Sequence, residues 1–169
     1  MFLFTFPMQT MVRLSKLELS DFIVQIIDSY QGVCRSKQIK LTLDIEDVSV
    51  GYEPKMVRRA VELMMDNSVQ VTPVGGEIEA SLINAEYQWE LEIADSGPRA
   101  KTDRVATEAQ TELPKIVGES PSTSIKSLQQ LSVLMNATVQ SWNCPLGGTA
   151  IVLVTPKGHT NEQAITKAA

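Results

Sequence analysis

A single histidine, His159, and two cysteines, Cys34 and Cys144, are all the chain offers of the side chains most used for zinc and redox chemistry. Two cysteines are too few for a disulfide framework or a zinc site, so a reducing, cytoplasmic setting is expected. There is no basic excess either: 15 Lys and Arg stand against 20 Asp and Glu, a net charge of −5. A general nucleic-acid binder would carry a basic face, so that class is excluded. No apolar run is long enough to span a bilayer. The opening MFLFTFPM lacks a basic flank and is broken by Pro7, which rules out a signal peptide or a membrane anchor there. Residues 1–16 are read as an N-terminal arm, either a terminal strand or packing segment or a disordered one; an exposed Phe2 to Met8 would be able to pair with another subunit, a route to a homo-oligomer. Met11 is an alternative start. Residues 157–169 are a polar tail, where His159 is expected to be inert.

What is present describes one globular domain. The 169 residues are 43% hydrophobic and 21% charged, and a chain of this length buries about 70% of its extended surface without staples. The stretch over residues 57–76 organises the rest. Val57, Ala60, Val61, Met64, Val69 and Val71 recur at the spacing of one helical face. Pro54 suits the first turn, where its missing N–H costs nothing, and Pro73-Val74-Gly75-Gly76 stops the helix. Asp66-Asn67-Ser68 interrupts the apolar stripe near its end, and chemistry is expected there.

Before this helix, Leu17 and Leu19 alternate as a short strand. Ser20-Asp21 reads as the N-cap of a helix with Phe22, Ile23, Ile26, Ile27 and Tyr30 on its face, ending near residues 35–37. Ile39, Leu41, Leu43 and Ile45 alternate as a half-buried strand, and Val48, Val50 and Tyr52 predict another. After it, Ile78, Ala80, Leu82 and then Trp89, Leu91, Ile93 predict two strands joined through Asn84-Ala85-Glu86. Residues 102–124 have no sustained period. A helix over residues 125–135 follows, then two strands around Val139 and over 149–155, joined by Pro145-Leu146-Gly147-Gly148. This order favours an α/β two-layer sandwich in which a mixed β-sheet is covered on one face by about three helices.

Several motifs carry a resemblance. Asn67, Thr72, Pro73, Gly75 and Gly76 stand where the N-box helix of the GHKL family has Asn, Thr-Pro and a Gly pair. Asp95-Ser96-Gly97-Pro98 resembles its G1 box, Glu53-Pro54 its usual Asp-Pro, and Gly148-Thr149 its C-terminal close. GHKL proteins share an ATP-binding fold of the Bergerat type and include sensor histidine kinases, anti-sigma serine kinases, gyrases and Hsp90-type chaperones. The likeness spans roughly residues 17–156 and implies a nucleotide-binding domain. By resemblance, Asn67 would turn its amide oxygen to a Mg²⁺ bridging the phosphates of ATP or ADP. Asp95 would accept from the adenine amino group, Gly97 would let the backbone approach the base, and Thr149 would add a hydroxyl. The loop over about 99–124 would be the lid, with Arg99, Ser122 and Ser124 near the phosphates.

Some positions depart from the family pattern. Leu63 stands where the family has Glu or Asn, and Glu62 is rotated about 100° away on the helix. Gln70 replaces a phosphate-contacting Lys or Arg, and Arg99 replaces the second G1 glycine. Ser122-Thr123-Ser124-Ile125 replaces the Gly-x-Gly run of the lid, removing the close backbone approach that glycine permits. Adenine recognition is thus expected to survive better than triphosphate handling. With no histidine on a preceding helical hairpin, any phosphoacceptor is expected on another chain or segment.

Three readings follow. The first is a degenerate, pseudokinase-like regulatory module of bacterial two-component signalling that works by contacting a response regulator, a kinase or a sigma factor. The second is an active kinase domain phosphorylating a histidine elsewhere, and the third an anti-sigma-type serine kinase or switch protein.

Overall fold

A computed structural model describes residues 18–99 and 123–157. The arm over residues 1–16, Leu17, most of the expected lid including Ser122 and Lys101, and His159 in the tail lie outside the described residues. In chain order the elements are α1 (Leu19–Asp28), α2 (Gln31–Ser36), β1 (Lys40–Ile45), α3 (Pro54–Val71), β2 (Glu77–Asn84), β3 (Gln88–Asp95), α4 (Thr123–Leu134), β4 (Thr138–Asn143) and β5 (Thr149–Pro156).

The five strands form one mixed sheet in the order β1-β2-β3-β5-β4, with β1 parallel to β2 and the other neighbours antiparallel. Strand alternation decides which face is covered. Leu41, Ile78, Ile93, Ile151 and their in-register neighbours Leu43, Ala80, Leu91 and Leu153 point to one face. They join Leu19, Ile23, Ile27, Val61, Met64 and Leu128 of the helices in one core cluster. Met64 and Met65 are fully buried, as expected of core filler. The opposite face carries Thr42, Asp44, Glu79, Glu90 and Glu92 on its β1–β3 half.

The organising helix forms as the sequence dictates. Pro54 occupies its first turn, and the Glu53 carboxylate accepts the Met56 N–H at 2.8 Å, a cap worth about 1 kcal/mol. Its last turn is held from outside. Lys37 Nζ donates to the carbonyls of Val69 at 2.5 Å and Thr72 at 2.9 Å, satisfying acceptors that a helix C-terminus leaves open. Arg58 lies 5.1 Å from the Phe22 ring centroid, and Phe22 in turn packs on Tyr52, which ties α3 to α1.

The structure corrects the reading of the first segments. Leu19 opens a helix rather than continuing a strand, because its fully buried side chain belongs to the same helical stripe as Phe22, Ile23 and Ile26. Ser20 and Asp21 therefore lie inside α1; Glu18 is the N-cap and makes no side-chain cap bond. The helix also breaks at Ser29 and Tyr30 before α2. Val48, Val50 and Tyr52 form no strand. Parallel pairing of β1 with β2 requires the chain to leave the sheet after Ile45, and this segment crosses over to α3 with Val48 and Tyr52 buried in the core. The Leu19 N–H donates to the Val48 carbonyl at 2.9 Å, fixing α1 to that crossover.

Candidate functional site

The C-terminal half of α3, the end of β3 and the turn into β5 converge on Asp95. This carboxylate is only 1% exposed. Its Oδ1 accepts the Gly97 N–H at 2.8 Å and the Thr149 N–H at 3.5 Å, whereas its buried Oδ2 has no hydrogen-bond partner. Burial pushes the Asp95 pKa up, opposed by the Gly97 and Thr149 amides and by the neighbouring Ser68 hydroxyl. Ser68 is close enough to favour the charged carboxylate, but its Oγ does not meet hydrogen-bond geometry, and we treat the two as neighbours rather than a bonded pair.

Backbone approach shapes the same corner. A Cβ on Gly148 would lie 2.3 Å from the Asp95 carbonyl oxygen and 2.6 Å from the Gly97 nitrogen. A Cβ on Gly97 would meet Asp95 Oδ1 at 2.8 Å and the Val71 carbonyl at 2.9 Å. Only glycine allows these three segments to close on one another. Side chains then lace the turn to the loop after β3. Cys144 Sγ donates to the Asp95 carbonyl at 3.2 Å, Thr149 Oγ1 to the Pro98 carbonyl at 3.0 Å, and Arg99 Nε to the Gly147 carbonyl at 3.1 Å.

No family model matches the chain. Part of it is similar to the adaptive-response sensory kinases SasA of two organisms. The match is 29% identical over 76 residues for Rippkaea orientalis, 43% of this chain and 19% of the relative. For Crocosphaera subtropica it is 27% over 93 residues, 53% of this chain and 24% of the relative. The similarity thus spans a quarter or less of either relative's length. Among solved structures, the catalytic domain of histidine kinase ThkA superposes with a TM-score of 0.66 at 15% identity, covering 83% of this chain and 95% of that one. A mycobacterial sensor histidine kinase, MprB, gives 0.61 at 18% identity, covering 83% and 95%. Full-length ShkA, solved with AMPPNP, gives 0.69 at 14% identity, covering 85% of this chain and 31% of that one.

The chain has the fold of histidine-kinase catalytic domains.

Within this fold the sequence-derived residues fall into two groups. Asp95, Gly97 and Thr149 come together, joined through Gly148. Asn67 lies on α3 beside Ser68 and is 6% exposed. Leu63, one turn earlier, is 3% exposed and part of the hydrophobic core, while Gln70 is exposed. Arg99 is engaged with the Gly147 carbonyl. Ser124 lies in the first turn of α4, and Ser122 lies outside the described residues. Thr72 Oγ1 donates to the Ser68 carbonyl at 2.6 Å, so the N-box threonine acts as a helix-end clasp.

The sequence reading overlooked two contributors. Cys144 was assessed only for metal and disulfide chemistry, and a lone cysteine gives no signal of a contact to a backbone 49 residues away. Ser68 did give a signal, as a small polar residue in an apolar stripe, but only the tertiary structure brings it to Asp95.

At this corner Asp95 Oδ2 is a buried acceptor, and Gly97 and Gly148 pack directly against Asp95. A separate groove of about 260 Å³ is lined by Ser29, Tyr30, Val33, Glu62 and Asp66, none of which surrounds Asp95.

Proposed function

We propose that this domain is a regulatory module of bacterial signal transduction that retains adenine recognition, handles the triphosphate weakly, and acts by contacting a signalling protein such as a response regulator, a kinase or a sigma factor. The observation that carries this reading is the unequal state of the two halves of the site. Asp95 is held by backbone amides with one buried oxygen unpartnered. On the phosphate side Leu63 is in the core, Gln70 is uncharged and Arg99 is engaged with Gly147. The partial similarity to SasA kinases supports a place in signalling.

Asp95 would accept a hydrogen from the adenine amino group, and its raised pKa makes it a strong acceptor when ionised. Gly97 and Gly148 let the backbone close on Asp95 and so hold that carboxylate in place, and Thr149 would hold the Pro98 carbonyl aside. Asn67 would offer its amide oxygen to Mg²⁺. A bound Mg²⁺–ATP would supply a phosphoryl group for transfer.

A second reading, an active kinase domain acting on a histidine of another chain, is favoured by the burial of both Asn67 and Asp95 within the same corner of the fold. Calorimetric titration with ATP and ADP, with and without Mg²⁺, separates the two. Adenine binding that Asp95→Asn weakens, with little gain from the γ-phosphate or Mg²⁺, is the expected result. Micromolar, Mg²⁺-dependent ATP binding, about −8 kcal/mol, that Asn67→Ala also abolishes would put the active kinase first. No heat with folded protein up to millimolar nucleotide would leave the fold as a protein-binding scaffold.

A further inference from the structure

The face of the sheet turned away from the core divides into two unlike halves. Strand pairing places Asp44 of β1, Glu79 of β2 and Glu90 and Glu92 of β3 on one half. Val154 of β5 and Trp142 of β4 stand on the other. All four helices join the core cluster on the opposite face, so among the described residues no helix covers this one. Across neighbouring strands opposite charges stabilise a sheet and like charges destabilise it. Here Glu79, Glu90 and Glu92 form no ion pair among the described residues. The ion pairs are Lys40 with Glu77 at the sheet edge, and Arg58 and Arg59 with Glu62 on α3. Burial, then repulsion from Glu79 and Glu90, pushes the Glu92 carboxyl up, as crowded carboxylates without a counter-charge require. The apolar half is partly open. Trp142 is half-buried and packs against Ala94 and Ala150, while Ile83, 45% exposed, stands directly across from Glu90.

Charge and polarity together select the occupant. A second copy laid face to face would set carboxylates against carboxylates, and a nucleic acid or an anionic membrane would be repelled. A segment with cations along one flank and apolar side chains along the other meets both halves. Glu90 and Glu92, two residues apart on one strand, are about 7 Å apart. Cations one helical turn apart are about 5.4 Å apart, a difference that the flexible stems of lysine and arginine absorb. We propose that this open sheet face docks a basic amphipathic helix of a partner protein, its cations over Glu79, Glu90 and Glu92 and its apolar flank against Val154 and Trp142. A tryptophan half out of water beside an apolar strip is the kind of side chain that anchors an interface. The assignment rests on the reading that the domain works by contacting a protein, and it gives that contact a surface that needs no nucleotide.

The test is a titration of the full chain with a synthetic amphipathic peptide of about 15 residues, lysine on one flank and leucine on the other, beside a control peptide with glutamate for lysine. Tryptophan emission reports the place of binding. Of the two tryptophans, Trp89 is 2% exposed in the core, so a shift on binding comes from Trp142. The lysine peptide is expected to move the emission to the blue and to lose affinity as salt rises. Trp142→Phe should abolish the shift. Glu79→Gln with Glu92→Gln should weaken binding about tenfold and keep the domain folded, since it relieves repulsion. Asp21→Asn with Asp28→Asn removes as much charge from exposed positions on α1 and should leave binding unchanged. Equal weakening by the two double variants overturns the proposal, because net charge alone would then hold the peptide. Binding without a shift in emission overturns this face as the docking surface and leaves the protein-contacting reading standing. No binding by the folded wild type, or equal binding of the glutamate peptide, also overturns the docking surface, and the nucleotide titration then tests the regulatory reading by itself.

Discussion

Gly148 packs so tightly on Asp95 that a Cβ at that glycine would sit 2.3 Å from the Asp95 carbonyl oxygen and 2.6 Å from its Oδ1. The β4–β5 turn is therefore the mould in which the buried carboxylate is cast, and it brings the ends of β3 and β5 together.

Gly148→Ala should displace Asp95, because a backbone carbonyl cannot swing away as a side-chain tip can. The expected cost is about 1–3 kcal/mol of overpacking, read by urea unfolding, together with weaker adenine binding. Gly147→Ala is the control. Gly147 has φ +98° but open space around its Cβ position, so its penalty should come from backbone strain and leave Asp95 in place.

Glu92 gives a prediction in pH. Burial, then repulsion from Glu79 and Glu90, raises its pKa in the folded protein. A carboxyl whose folded pKa is raised holds its proton in the native state after the unfolded chain has released it. Its contribution is then fully present at low pH and is lost as pH rises through the folded pKa. Glu92→Gln should raise stability at neutral pH and flatten the fall in stability as pH rises above the ordinary glutamate range, measured by denaturant unfolding at stepped pH. Asp95, also raised, should leave part of the slope.

Lys37→Met should cost about 1–2 kcal/mol, the worth of charge-assisted bonds at a partly buried helix end. The loss should be local as well as global. Hydrogen exchange at the Thr72 amide, which donates to the Ser68 carbonyl at 2.9 Å, should accelerate more than exchange in the middle of α3.

Leu63→Asn, the substitution that returns the family residue, should destabilise the domain by about 3 kcal/mol, since it replaces core packing with an amide at a position 3% exposed. Combined with glycines in the lid it should raise nucleotide affinity. A melting temperature unchanged by Leu63→Asn alone would mean that residue 63 faces a solvated cavity.

Much of the fold was legible in particular residues. Pro54 and the stripe from Val57 to Met64 announced α3, and the alternations through Ile78 and Trp89 announced β2 and β3. The reading erred where periodicity is ambiguous. Leu19 belongs to a helical stripe as well as to an alternation, and Val48 and Tyr52 have strand-like spacing but serve as plugs in a crossover. Asp95, Gly97 and Thr149, singled out through resemblance, lie together in the structure. The Nε–H of Arg99 goes to the Gly147 carbonyl, an acceptor offered by a turn 48 residues away that no local pattern announces.

The sequence by itself determined which face of each element is apolar, where α3 begins and ends, and that Asp66-Asn67-Ser68 breaks its stripe, since all of these depend on neighbours within a turn or two. Only the tertiary structure decided that Asp95 keeps one oxygen for the amides of Gly97 and Thr149, the latter 54 residues away, and leaves the other unpartnered beside Ser68. The physical reason is range. Apolar burial follows a local period, but the partner of a polar atom is set by how distant elements lie against one another, and a hydrogen bond is made or missed within a few tenths of an ångström.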